Sequence, residues 1–266
     1  MANQTKLDKN ETKGLGEINI LHPPGSFAIT PASRIAIHTI GEHQSLLVGN
    51  GIDWGSGTGC LAIAAARIGT VNWIIGLEIS QLNNEIAREN AILNRVEDKT
   101  EFFLSNSYMP ILEADQKRLA IYMGKMNFIL ANPPSSEGDD GFGYRRLVLK
   151  GARRFLVFGG VIFLNISTQY SFRRVERLTQ EVQGISYGGM LASSDRVPFD
   201  LNRPDLLHCL ELYANEEKRG GEKYVFNTPD DPNDTLDARA ALENYRKNGS
   251  SPLIKWQTHL FKYRGN

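Results

Sequence analysis

Apolar and polar positions along the chain follow two periods. Short runs rich in β-branched and aromatic residues read as strands: "GIDW" (51–54), "VNWIIGLEIS" (71–80), "TEFFLSN" (100–106), "MNFILA" (126–131) and "VIFLNIS" (161–167). Between them lie segments of helical period. "PASRIAIHTIGEH" (31–43) spaces Ile35, Ile37 and Ile40, and "CLAIAAARIG" (60–69) closes at Gly69. "SQLNNEIARENAILNRV" (80–96) has Ser80 as N-cap, with Leu82, Ile86 and Leu93 expected on one face. "EADQKRLAIYM" (113–123), "YRRLVLKGARRFLVF" (144–158, stopping at Gly159-Gly160), "SFRRVERLTQEVQG" (171–184) and "LDARAALENYRKNG" (236–249) are further helices. "ISYGGMLAS" (185–193) and "LLHCLELYA" (206–214) read as a closing pair of strands.

Strands that alternate with helices build a mostly parallel sheet covered on both faces, an α/β doubly wound fold. The expected organisation is a loosely packed lead over 1–24, one domain over 25–213, and an extension over 214–266 packed on or beside it. The polar, turn-rich stretch 214–235 is expected to be a surface connection.

Composition narrows the class. The 266 residues are 41% hydrophobic and 23% charged, and 30 Lys+Arg balance 30 Asp+Glu. This describes a soluble globular protein that no global charge steers toward nucleic acid or membrane. The two cysteines, Cys60 and Cys209, form no CxxC, and the polar first residues hold no apolar core of a signal peptide. With no apolar run of spanning length, a cytoplasmic location and no membrane partner are expected. The five histidines stand in no metal-ligand spacing, so no metal is expected.

The chemistry concentrates at strand ends. Asp53-Trp54-Gly55-Ser56-Gly57-Thr58-Gly59 joins a strand to a helix, and Glu78 ends the next strand. Glycines there permit positive φ and close approach of a ligand, at the edge where open α/β sheets bind cofactors. A dinucleotide fingerprint is GxGxxG, whereas this loop is GxGxG with Asp53 two residues before Gly55. That carboxylate would repel a pyrophosphate but suits a cationic cofactor, while Glu78 can accept from ribose hydroxyls.

These residues, DxGSGTGxLAIAAA followed by GLEIS, resemble the class I S-adenosylmethionine-dependent methyltransferases over roughly residues 25–213. The resemblance implies a seven-stranded Rossmann-like sheet and S-adenosyl-L-methionine as cofactor. It places Asp53, Gly55, Gly57 and Glu78 on that cofactor, with Asn106 at the adenine-contact position of "EFFLSNSYMP". "GSFAITP" resembles the F-x-P element of HemK-like enzymes, with Phe27 near the cofactor. Trp54 stands where the superfamily has a small or aliphatic residue.

Asn132-Pro133-Pro134-Ser135 resembles the (D/N)PP(Y/F/W) motif of methyltransferases acting on planar nitrogens. By that resemblance Asn132 and the Pro133 carbonyl each accept an N–H of the acceptor, and Asn132 also borders the cofactor. Prolines lock the backbone so that these acceptors are held in place. The usual aromatic platform is replaced by Ser135, leaving Phe142 or Tyr144 to supply it. A protein glutamine or an exocyclic amine of a nucleic acid is the expected acceptor. The alternatives are a small-molecule N- or O-acceptor and a non-catalytic scaffold. Arg145, Arg146, Arg153, Arg154, Arg173 and Arg174 form either a phosphate-contacting patch or a solvated helix face. Glu137, Asp139 and Asp140 are a solvated loop, a site for a cationic part of the substrate, or acceptors of the proton lost after transfer.

Overall fold

The computed structural model describes residues 3–136, 139–231 and 233–265. The chain opens with a hairpin of β1 (Gln4–Leu7) and β2 (Ile18–Leu21). Then come α1 (Pro31–Glu42), β3 (Gly49–Trp54), α2 (Cys60–Ala66), β4 (Val71–Glu78), α3 (Gln81–Leu93), β5 (Thr100–Asn106), the two-residue β6 (Met109–Pro110) and α4 (Glu113–Ala120). β7 (Met126–Ala131), α5 (Gly143–Phe155), β8 (Leu156–Ser167), α6 (Ser171–Glu181) and β9 (Ile185–Ser193) follow. A smaller unit comprises β10 (Val197–Pro198), α7 (Pro204–Lys218), β11 (Phe226–Asn227), β12 (Thr235–Leu236), α8 (Ala238–Asn248) and β13 (Leu253–Ile254). The chain closes on β14 (Trp256–Tyr263).

The main sheet runs β6-β5-β4-β3-β7-β8-β14-β9, with β5 through β8 parallel. From β3 the chain winds outward to β4 and β5, then returns to β7 on the other side. The gap between the carboxyl ends of β3 and β7 is therefore the topological switch point, where ligands of such sheets bind. One apolar core packs each face: Ile52, Ile75, Ile129 and Leu164 point to α5 and the smaller unit, and Ile74, Phe128 and Leu130 to α1 and α2, where Ile37 and Ile63 join them.

Several expectations are corrected. Residues 206–214 lie in helix α7, and the strand that closes the sheet is β14, hydrogen-bonded between β8 and β9 and antiparallel to both. Its inner positions Thr258, His259, Leu260 and Phe261 are all buried, which an apolar-polar alternation does not announce. The last segment thus belongs to the main sheet rather than beside it. Residues 214–218 complete α7, and Tyr224 and Phe226 are buried from the stretch that follows. Strand β8 begins at Leu156, before the expected helix stop.

The lead is not loose: Leu7, Ile18 and Ile20 are buried, and α3 explains why. Leu82 and Leu93 are exposed, whereas Asn83, Ile86, Ala87, Asn90 and Ala91 face inward. The asparagines act as backbone partners. Asn83 Oδ1 accepts from Phe27 N at 3.0 Å, and Asn90 Oδ1 from Leu21 N at 2.8 Å. Asn90 Nδ2 donates to Leu21 O and Thr58 O, both at 3.0 Å, and Asn94 brackets Asn19 in the same way. A pattern search for apolar stripes reads this face as solvent-facing.

Asn90→Ala leaves three backbone groups without this partner, one buried and two partly buried, and is expected to lower unfolding free energy by about 2 kcal/mol in urea titration. A loss under ~0.5 kcal/mol would show that the lead is held by its apolar contacts alone.

Candidate active site

At the carboxyl end of β3 the chain must turn sharply to enter α2, and glycine makes this possible. Gly55, Gly57 and Gly59 have φ of 67°, 54° and 86°, a region that L side chains rarely adopt. The space in front of Gly55 is open, so its backbone is accessible to a ligand. Glu78 secures the loop: its Oε2 accepts from Gly57 N and its Oε1 from Ser80 N, both at 2.8 Å. Ser80 is the N-cap of α3, accepting from Asn83 N, as expected.

The loop fronts a cavity of about 260 Å³. Phe27, Gly55, Gly57, Glu78, Asn106, Asn132 and Pro134 all line it, together with Trp54, Ser105 and Tyr144. Phe27, 59% exposed, lies over Gly57, where an added Cβ would meet it at 3.6 Å. Thr58 Oγ1 donates to Phe27 O, tying that segment to the loop. The cradle suits a nucleoside cofactor. Its glycine backbone is bare, Glu78 is an acceptor at its wall, and its lining is largely apolar.

Asp53 and Pro133 lie behind this lining. Asp53 is 0% exposed, and its Oδ2 accepts from Ala62 N at 2.9 Å. It anchors the first turn of α2 beneath the loop, and any effect on a ligand passes through the loop. Burial pushes its carboxyl up to about 7, against the opposing hydrogen bond from Ala62 and with help from the Glu78 charge.

Pro133 is buried as well, and its carbonyl is engaged by Arg145 rather than facing the cavity alone. Arg145 sits on the core stripe of α5 with Val148, Leu149 and Ala152 and is 1% exposed. Its Nη2 donates to Pro133 O, and its Nη1 to Pro134 O and Gly141 O. Its guanidinium lies 5.2 Å from the Phe142 ring centroid and 5.0 Å from that of Tyr170. A buried cation with these partners holds the proline loop to the core.

The solvated-face reading fits Arg154 and Arg173, which are exposed, but not Arg145, Arg146 or Arg174. Arg145 and Arg174 are buried, and Arg146 pairs with Asp140 and Glu181. Arg174 lies over the Tyr224 ring and reaches Glu216. Burial raises the Asp140 carboxyl, but Arg146 and Arg177 outweigh it and hold it down at about 2. Glu137 lies outside the described residues. The signal for Arg145 in the sequence is its 145/148/149/152 spacing with the apolar residues of α5.

Of the two candidate platforms, Phe142 is fully buried and Tyr144 is 40% exposed in the cavity wall. Its ring centroid lies 6.2 Å from that of Trp54, whose indole Nε1 donates to Ser107 Oγ at 2.9 Å. Ser107 adopts φ 56°, a strained conformation for serine that aims its hydroxyl at the indole. Tyr213 of α7 donates to Ser135, bringing the smaller unit against the proline loop. No cluster of metal ligands occurs among the described residues. No helix among them is long and apolar enough to cross a membrane.

A doubly wound sheet with this glycine turn and acidic second-strand end defines the class I S-adenosylmethionine-dependent methyltransferases, whose methyl donor is S-adenosylmethionine. The family model of the methyltransferase small domain matches residues 17–187, and the chain belongs to that family. It is 26% identical over 161 residues to a release factor glutamine methyltransferase of Thermodesulfovibrio yellowstonii, covering 51% of this chain and 54% of that one. It is 41% identical over 64 residues to a ribosomal protein L11 methyltransferase of an Enterobacter species, covering 24% and 22%. The chain thus spans about half the length of the first and less of the second. The tRNA m1G37 methyltransferase of Methanocaldococcus jannaschii superposes with a TM-score of 0.53 at 14% identity, covering 100% of this chain and 56% of that one. At that identity the likeness shows the fold alone.

Because burial raises the Asp53 carboxyl, the folded chain binds a proton that the unfolded chain releases near the ordinary carboxylate value. Stability from this group is full below about pH 4 and is lost as pH rises toward about 7. Asp53→Asn keeps an acceptor for Ala62 and removes that slope. Thermal midpoints of wild type minus variant are expected to fall from pH 4 to 7.5, and a flat difference would refute a protonated, buried Asp53.

Proposed function

We propose that this chain transfers a methyl group from S-adenosylmethionine to a planar nitrogen, with a side-chain amide of a protein as the acceptor. The observation that supports it is that Asn132 and Pro134 border the same cavity as Gly55, Gly57 and Glu78. Cofactor and acceptor clamp therefore share one chamber.

When bound, S-adenosylmethionine supplies an electrophilic methyl on a sulfonium. The rest is work for the chain. Glu78 receives ribose hydroxyls, Phe27 covers the loop, and Asn106 meets the adenine. Asp53 holds the α2 turn under the cofactor's charged end. An amide nitrogen is a poor nucleophile because its lone pair is delocalised. Asn132 Oδ1 accepts one of its N–H groups and orients the lone pair toward the methyl, lowering the cost of rehybridisation. Pro133, behind the lining with its carbonyl on Arg145, holds the proline loop in place. Tyr144 and Trp54 flank the flat group.

A protein acceptor is favoured over a polyanionic one because the arginines near the proline loop are committed. Arg145 and Arg174 are buried, and Arg146 and Arg177 converge on Asp140. Relatives named for release factor glutamine and ribosomal protein L11 fit the same choice.

Incubation of the full chain with tritiated S-adenosylmethionine and a fractionated lysate should label protein. Label confined to nucleic acid or to the small-molecule pool would overturn the amide reading. Asn132→Ala is expected to slow transfer about 100-fold while S-adenosylhomocysteine affinity, read by calorimetry, stays within about twofold. Undiminished transfer would remove Asn132 from the mechanism.

A further inference from the structure

Behind Asn132 runs a line of buried polar side chains drawn from three elements distant in sequence. Thr39 of α1 is 0% exposed, Asn165 of β8 is 1% and Thr258 of β14 is 1%. Groups so buried cost stability unless their hydrogen bonds are complete, and apolar residues of similar size would pack there without that cost. Here the bonds are complete and they end on the cavity. Asn165 Nδ2 donates to Ala32 O at 2.7 Å and to Asn132 Oδ1 at 3.3 Å. Thr258 Oγ1 donates to Asn165 Oδ1 at 2.6 Å. Thr39 Oγ1 lies 3.1 Å from Thr258 Oγ1 and 2.6 Å from Ile35 O.

The direction of each bond follows from what each atom can do. The Ala32 carbonyl only accepts, so the amide nitrogen of Asn165 must face it. Turning Asn165 over would set two oxygens against each other. With the nitrogen so placed, Asn165 Oδ1 faces Thr258, whose single proton must go to it. The second N–H of Asn165 then points at Asn132, which must answer with oxygen. If Asn132 turned over, two NH₂ groups would meet. The chain of donors thus sets which end of the Asn132 amide is held, before any acceptor arrives.

We propose that Asn165 and Thr258 are positioning residues for methyl transfer, fixing the amide orientation of Asn132 through this line of hydrogen bonds. The proposal rests on the Asn132 reading above. It also assigns a site role to the last strand of the chain, which touches neither cofactor cradle nor acceptor chamber.

The test uses the ¹⁵N-labelled full chain with S-adenosylhomocysteine. The Asn132 side-chain resonance is assigned by its loss in Asn132→Ala. In wild type its heteronuclear NOE should match the rigid backbone. Thr258→Val, which keeps shape and removes the proton, should lower that NOE and slow transfer to the labelled protein fraction about tenfold. Thr258→Ser should restore both, and S-adenosylhomocysteine affinity should stay within about twofold throughout. Thr258→Ala gives the same readings if the valine variant does not fold. An unchanged NOE and rate in Thr258→Val, or no rescue by serine, would overturn the proposal. Full transfer by Asn132→Ala would instead defeat the Asn132 reading, and the NOE would still report whether the line of bonds orders that side chain.

Discussion

The Glu78 carboxylate joins the two turns on which the cofactor cradle depends. One oxygen takes Gly57 N from the turn after β3, and the other takes Ser80 N at the start of α3. The glycines need that external restraint, since a backbone free to adopt positive φ is also free to leave it. Because β3 and β4 are parallel neighbours, Asp53 registered with Gly76 and Trp54 with Leu77, their ends reach the same edge together. A single side chain at the end of β4 can then span both loops. The same carboxylate borders the cavity, so the group that orders the two turns also forms part of the chamber wall.

This economy recurs through the structure. Polar side chains in the interior serve mainly to hold backbone, and backbone in turn shapes the chamber. Asn90 and Asn94 hold the lead against α3, Asp53 holds the start of α2, and Arg145 holds the carbonyls of the proline loop. Prolines at 133 and 134 cannot donate to a ladder, so their carbonyls must find donors elsewhere. A guanidinium, with five donors in a plane, answers several of them at once and keeps its charge even when buried. The aromatic rings of Phe142 and Tyr170 provide the surroundings that make the burial tolerable.

How much of this was legible in the sequence follows from which physical signal each part leaves. The parallel core strands are continuous apolar runs, and the glycine loop with Asp53 and Glu78 has a spacing that few other arrangements need. Both were read with the right elements. Asn132 and Pro134 were placed at the end of the correct strand and share the cavity with Glu78. What failed was assignment where polar residues are buried. The inward face of α3 is asparagine-rich, Arg145 occupies a core position, and β14 buries Thr258 and His259. Hydrophobic periodicity has no way to mark these, because their burial is stabilised by specific partners that lie far off in the chain. Residues 206–214 failed for a different reason. "LLHCLELYA" is apolar enough for either element, and its helical capping begins upstream at Pro204.

The placement of β14 follows from the same accounting. A sheet ending at β8 would leave Asn165 with an unpartnered Oδ1 in the core and the β8 backbone as an open edge. β14 supplies both the ladder, pairing Thr258 with Asn165, and the hydroxyl that completes the Asn165 amide. Valine would serve the ladder equally well and the packing better, since β-branched shape suits a strand and no hydroxyl would need a partner. Threonine at that position is therefore explained by the amide it addresses and not by the sheet. Since that amide's other end meets Asn132, the closing strand and the end of β7 are parts of one hydrogen-bonded unit, though Asn132 and Thr258 stand 126 positions apart in the sequence.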